Sequence, residues 1–119
     1  MKEEKNDEYY LKKILKYINY IYEYYEETKR KNKNIIPNDQ DSDGIIYKFL
    51  QLKEECNKLT LTFLIEHPRI NYHIKLLNGF RNRLVHDYEN VSYSFFIEIL
   101  ENDLIEFRKL IIDSLNNEI

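Results

Sequence analysis

Residues 7–31, DEYYLKKILKYINYIYEYYEETKRK, decide the class of fold. Leu11, Ile14, Ile18, Ile21 and Tyr25 recur at steps of three and four, which places them on one face of a helix. The spacing predicts a helix from about Asp7 to about Lys31. Tyr10, Tyr17 and Tyr24 repeat every seven residues beside that face, with Tyr20 nearby. Two readings of this aromatic stripe stay open. It is either a broad core face or a contact with a second subunit, for which tyrosine offers a large area and a polar tip.

The same periodicity returns along the rest of the chain. Ile45, Phe49, Leu52, Cys56, Leu59 and Phe63 predict a second helix from about Asp43 to about Leu64. Glu66-His67-Pro68 marks a corner, because proline cannot continue a helix interior. A third helical segment carries Ile70 through about Tyr88, and Asn90-Val91-Ser92 offers a break and an N-cap. The fourth helix, from about Ser92 to Leu115, has Tyr93, Ile97, Leu100, Leu104, Phe107 and Ile111 on one face. Residues 1–119 therefore read as a single all-α domain. Four helices joined by short loops predict an antiparallel up-and-down four-helix bundle.

Composition agrees. A chain of 119 residues, 43% hydrophobic and 33% charged, can bury a core without covalent staples. Two glycines and two prolines are too few for the turns of an all-β fold. The single cysteine, Cys56, has no partner for an internal disulfide and falls on an apolar helix face, so a buried, inert thiol is expected. Met1 to Lys5 is charged and carries no apolar signal region, and no apolar run approaches the roughly 20 residues that cross a bilayer. A cytoplasmic protein without a membrane partner is expected. At a net charge of −3, contact with nucleic acid needs a local basic patch.

Two candidate sites have simpler explanations. Lys29-Arg30-Lys31-Asn32-Lys33-Asn34 is basic, but a helix C-terminus attracts cations and a linker stays solvated. Asp39-Gln40-Asp41-Ser42-Asp43-Gly44 imitates the opening of an EF-hand calcium loop, yet its twelfth position is Leu50 in place of the bidentate glutamate. Short acidic side chains that cap the next helix account for it. No metal and no cofactor is expected.

The densest chemistry lies in Gly79-Phe80-Arg81-Asn82-Arg83-Leu84-Val85-His86-Asp87-Tyr88. At roughly 100° per residue, Leu77, Phe80 and Leu84 face the core, and Arg81, Val85 and Tyr88 line one edge of that stripe. Asn82 and His86 are four residues apart and project together, nearly opposite the core. From His67 to His86 the chain carries Arg69, Lys75, Arg81 and Arg83 and no acidic residue, a local positive segment suited to a phosphate backbone. Gly79 costs about 1 kcal/mol of helix propensity, and close approach of another helix would explain it. Arginine, histidine and tyrosine together supply a phosphate clamp, a proton shuttle near neutral pH and a phenol. His67 and His73 are six residues apart, fit no helical metal pair, and are expected on the surface.

This stretch resembles the signature of HEPN domains, specifically the HepT-like toxins of MNT–HEPN toxin–antitoxin pairs. That signature is Arg, four residues, His, one residue, Tyr, with Asn directly after the Arg; Arg81, Asn82, His86 and Tyr88 occupy the matching positions. The resemblance is close over about Ile70 to Ile111 and only architectural over the first two helices. It implies a metal-independent endoribonuclease acting as a homodimer, with the two motifs meeting across the interface. One His86 imidazole would accept the ribose 2′-hydroxyl proton while its symmetry mate protonates the leaving oxygen. Arg81 would stabilise the transition-state phosphoryl charge, and Asn82 would orient His86 or the phosphate. It also implies a nucleotidyltransferase antitoxin of the MNT type that inhibits the enzyme by adenylylating Tyr88. The competing reading is a non-catalytic helical module that binds such a nucleotidyltransferase.

Overall fold

The computed structural model describes residues 6–30, 40–87, 91 and 93–117, and every regular element among them is helical. Helix α1 spans Asp7–Arg30, α2 Gln40–Cys56, α3 Leu61–Glu66 and α4 Pro68–His86. Helix α5, Tyr93–Glu98, runs through a π-helical turn, Ile99–Asp103, into α6, Leu104–Leu115. Among the described residues, no helix is long and apolar enough to cross a membrane.

The apolar stripes make one core. Leu11, Ile14, Ile18, Ile21 and Tyr25 of α1 are buried in a cluster with Ile45, Phe49, Leu52 and Cys56 of α2. Tyrosine is a mediocre helix former, so α1 owes its helicity mainly to this buried face, each large apolar side chain contributing about 1.5–3 kcal/mol. Tyr10 and Tyr17 also pack partly buried against the core, whereas Tyr24 is 39% exposed.

Contacts between α1 and α2 follow a steady register. Tyr24 lies against Gly44, where an added Cβ would sit 2.7 Å from its ring. Lys48 stands over Tyr20, Lys13 faces Glu55 at 3.6 Å, and Lys58 stands over Tyr10. The Asp7 carboxylate accepts hydrogen bonds from the Thr60 amide and hydroxyl at 2.9 and 2.7 Å. Numbers fall along α1 as they rise along α2 and on through the turn to Thr60.

The second helix departs from expectation. The apolar spacing predicts one helix through Leu64, but the chain turns at Asn57–Leu59 and restarts as α3. The Thr60 hydroxyl caps α3 by accepting from the Phe63 amide at 3.2 Å, while Asp7 holds the same threonine from α1. Leu59 in the turn and Phe63 beyond it are both buried, so the apolar spacing carries no mark of the break. At its other end α2 already begins at Gln40, so the backbone of Asp41 to Gly44 is helical and does not form a calcium loop. Asp39, like the basic run beyond Arg30, lies outside the described residues.

The corner at His67 is present, and Pro68 opens α4, where its missing amide costs nothing. His73 is a correction: it is only 4% exposed. It sits on the stripe Ile70, His73, Leu77, Phe80 and Leu84, whose steps of three and four point into the core. Its Nε2 lies 3.6 Å from the Glu106 carboxylate.

The last helix also differs. Phe96, Ile99 and Leu100 are buried ahead of Leu104 and Phe107, while Ile97 is only half-buried. In the π turn the Leu104 amide reaches the Ile99 carbonyl. Two α1 tyrosines pin this turn. The Tyr22 hydroxyl donates to the Leu100 carbonyl at 2.7 Å, and the Tyr25 hydroxyl donates to the Glu101 carboxylate.

Candidate functional site at the end of α4

Phe80 fixes the rotation of α4. Its ring lies 5.2 Å from Phe49, 5.4 Å from Phe96 and 5.6 Å from Phe95. Leu77 and Leu84 are buried a turn to either side. With that face locked, the opposite one must meet solvent, and Asn82 and His86 are exposed there. His86 ends the helix, and the Asp87 amide closes the last turn by donating to the Arg83 carbonyl at 2.8 Å.

Arg81 and Asn82 come together. The guanidinium Nη1 donates to the Asn82 side-chain oxygen at 3.2 Å. The Arg81 Nε is buried and, among the described residues, meets no acceptor. Half-buried and braced on one side, the guanidinium keeps part of its donor fork for an anion. One turn earlier the Asn78 side-chain oxygen is also buried without a described donor. Sequence reasoning passed over Asn78; its only signal was its position one turn before Arg81.

The other cations are placed differently from one another. Arg83 is exposed and stands over Phe95, its guanidinium carbon 4.6 Å from the ring centroid. Lys75 is exposed on the same face of α4 as Asn82. Arg69 donates to Glu106 at 2.9 Å, a counter-charge from α6 that the local sequence around Arg69 does not reveal. Gly79 is exposed, and among the described residues a Cβ there would meet nothing within 4 Å, so none of them explains it. Val85 is 44% exposed, and Tyr88 lies outside the described residues. His67 stacks on Phe63 at the α3–α4 corner, remote in sequence from this cluster.

Cys56 is buried, and burial together with the neighbouring Glu55 carboxylate pushes its thiol well above the usual range. Such a thiol is no nucleophile at neutral pH.

An all-helical domain that turns an amide, an imidazole and a braced guanidinium outward from one helix end has the parts for phosphodiester chemistry. The family model described as "Ribonuclease HepT-like" matches residues 14–113, and the chain belongs to that family. Its class is thereby that of a ribonuclease, whose substrate is RNA. No curated protein and no solved structure matches the chain.

Proposed function

We propose that the protein is the endoribonuclease toxin of a HEPN/MNT toxin–antitoxin pair, cleaving RNA without a metal at a site shared by two subunits. The observation that carries this reading is the exposed pair Asn82 and His86, held outward by the buried Phe80 and Leu84, with Arg81 hydrogen-bonded beside them. In one subunit a lone imidazole faces solvent. In a two-fold dimer a second His86 would face the same cleft.

The outer face of α4 supports such a seam. Tyr72, Leu76, Gly79, Arg83 and His86 follow one another at steps of four and three, and Tyr72 is 60% exposed. Gly79 offers the point of closest approach. Within each subunit we read an up-and-down four-helix bundle, supported by the opposed numbering of the α1–α2 contacts and by the pairs Arg69–Glu106 and Phe80–Phe96 between α4 and the last helix.

The chemistry then runs on internal groups. The ribose 2′-oxygen attacks phosphorus and gives its proton to a neutral His86 Nε2 or Nδ1. The bond from phosphorus to the 5′-oxygen breaks, and the partner's protonated His86 supplies that oxygen with a proton. Arg81 holds the phosphoryl oxygens as charge builds on them, with Asn82 fixing its direction. Arg83 and Lys75 add phosphate contacts; Arg69 does so only to the extent that it leaves Glu106.

Tyr88 lies two residues beyond His86 and is the proposed site of adenylylation by a cognate nucleotidyltransferase, which would place an anionic nucleotide at the cleft. Coexpression with that partner should add nucleotide mass to Tyr88, and a subunit that stays unmodified would rule the switch out. The toxin is proposed to act in the cytoplasm. The reaction is tested by the ends of its products made in EDTA. This mechanism yields 2′,3′-cyclic phosphate and 5′-hydroxyl ends; 5′-phosphate ends would contradict it.

A further inference from the structure

Away from α4, the α1–α2 surface carries an unusual arrangement of cations and rings. The Lys48 ammonium stands 4.9 Å from the ring centre of Tyr20, 5.7 Å from Tyr47 and 6.0 Å from Tyr17. Lys16 stands 5.7 Å from Tyr20, whose ring meets Tyr17 edge-on at 6.1 Å. Tyr47 is 58% exposed, and Lys16 is exposed as well.

These lysines differ from their neighbours in what they meet. Lys12 faces Glu8, Lys13 faces Glu55 and Lys29 faces Glu26 within ion-pair distance. Among the described residues, Lys16 and Lys48 pair with no carboxylate and are held over aromatic faces. A ring polarises toward an ammonium without neutralising it, so both charges remain available to an outside anion. Tyrosine rings interleaved with unneutralised ammoniums suit single-stranded RNA, whose bases stack on rings and whose phosphates seek cations.

We propose that Lys16, Tyr17, Tyr20, Tyr47 and Lys48 form a second RNA contact that grips a single-stranded stretch of the substrate apart from the cleavage site. The substrate class rests on the reading of the chain as a ribonuclease. Glu23 and Glu27 border Tyr20 and Lys48 at the far end of the patch, so phosphates are steered toward the N-terminal half of α1. The tyrosine stripe, open in the sequence between core and subunit contact, acquires a third use.

The test uses a short 2′-O-methyl oligoribonucleotide of mixed sequence, which the full-length protein can bind but not cut. Its affinity is measured against salt for the wild type, for Lys16→Ala/Lys48→Ala and for Tyr47→Ala, with thermal melts as a fold check. Loss of two phosphate contacts should flatten the dependence of log K on log salt by about 1.4. Tyr47→Ala should weaken binding about tenfold at an unchanged slope, as loss of one stacked base does. Wild-type binding by both variants would overturn the proposal, and lower melting alongside it would mark the patch as a staple between α1 and α2. Unchanged binding with loss of subunit association in sedimentation would assign the patch to a subunit contact and overturn it equally. If the wild type cuts no RNA yet patch-dependent binding persists, the ribonuclease reading fails and this surface stands.

Discussion

The Arg81 guanidinium donates to the side-chain oxygen of its own neighbour, Asn82, at 3.2 Å. Adjacent side chains on a helix diverge by about 100°, so this bond bends the arginine from the edge of the core toward the exposed face that carries His86. Asn82→Ala should release it. Hydrogen bonds to charged groups contribute about 1.5–3 kcal/mol, so single-turnover cleavage should fall roughly ten- to hundredfold with an unchanged melt. Arg81→Lys should fall at least as far, because an ammonium lacks the planar fork. Wild-type rates in Asn82→Ala would remove the bracing role.

Tyr22 holds the π turn from α1. Tyr22→Phe leaves the Leu100 carbonyl without its donor at the point where the helix ladder is already disturbed. A loss of about 1–2 kcal/mol is expected from urea denaturation. A variant as stable as the wild type would mean that solvent satisfies the carbonyl equally well.

Gly79 distinguishes the isolated fold from the proposed dimer. Because a methyl there meets nothing within 4 Å among the described residues, Gly79→Ala should stabilise the isolated fold by about 0.5–1 kcal/mol. The same methyl should weaken self-association, read by sedimentation across a concentration series. Unchanged association would move the seam off this face of α4.

Alkaline pH should loosen the fold. Burial pushes the Cys56 thiol up, with Glu55 adding to it, and burial likewise pushes the Tyr22 phenol up against the opposing pull of Arg108. Both acids hold their protons more tightly in the native state than in the unfolded chain. Their contribution is complete below the ordinary thiol range near pH ~8.5 and declines above it. The urea midpoint should drop between about pH 7 and about pH 10, and more shallowly in Cys56→Ala; a rising midpoint would reverse the assignment.

Much of this was legible in the sequence, for physical reasons. Burial imposes a 3.6-residue period, so Leu11 to Tyr25 and Ile45 to Cys56 announced their helices. The same rule placed His73 on the core stripe, a position its polarity obscured. The restart at Thr60 was hidden because the hydrogen bonds that favour it come from Asp7, 53 residues away. The π turn depends similarly on Tyr22 and Tyr25, and Arg69 meets its counter-charge in Glu106. At the site, helical geometry anticipated the outward amide and imidazole; the Arg81–Asn82 bond, and the Asn78 oxygen that meets no donor among the described residues, depend on side-chain rotamers that spacing does not set.

The central claim is that His86 moves protons during RNA cleavage. Its most direct measurement is the single-turnover cleavage rate of wild type and His86→Ala in EDTA, with circular dichroism confirming equal folding. Metal-independent cleavage by the wild type, falling a hundredfold or more in the variant, is the predicted result. Cleavage by His86→Ala at the wild-type rate would contradict it.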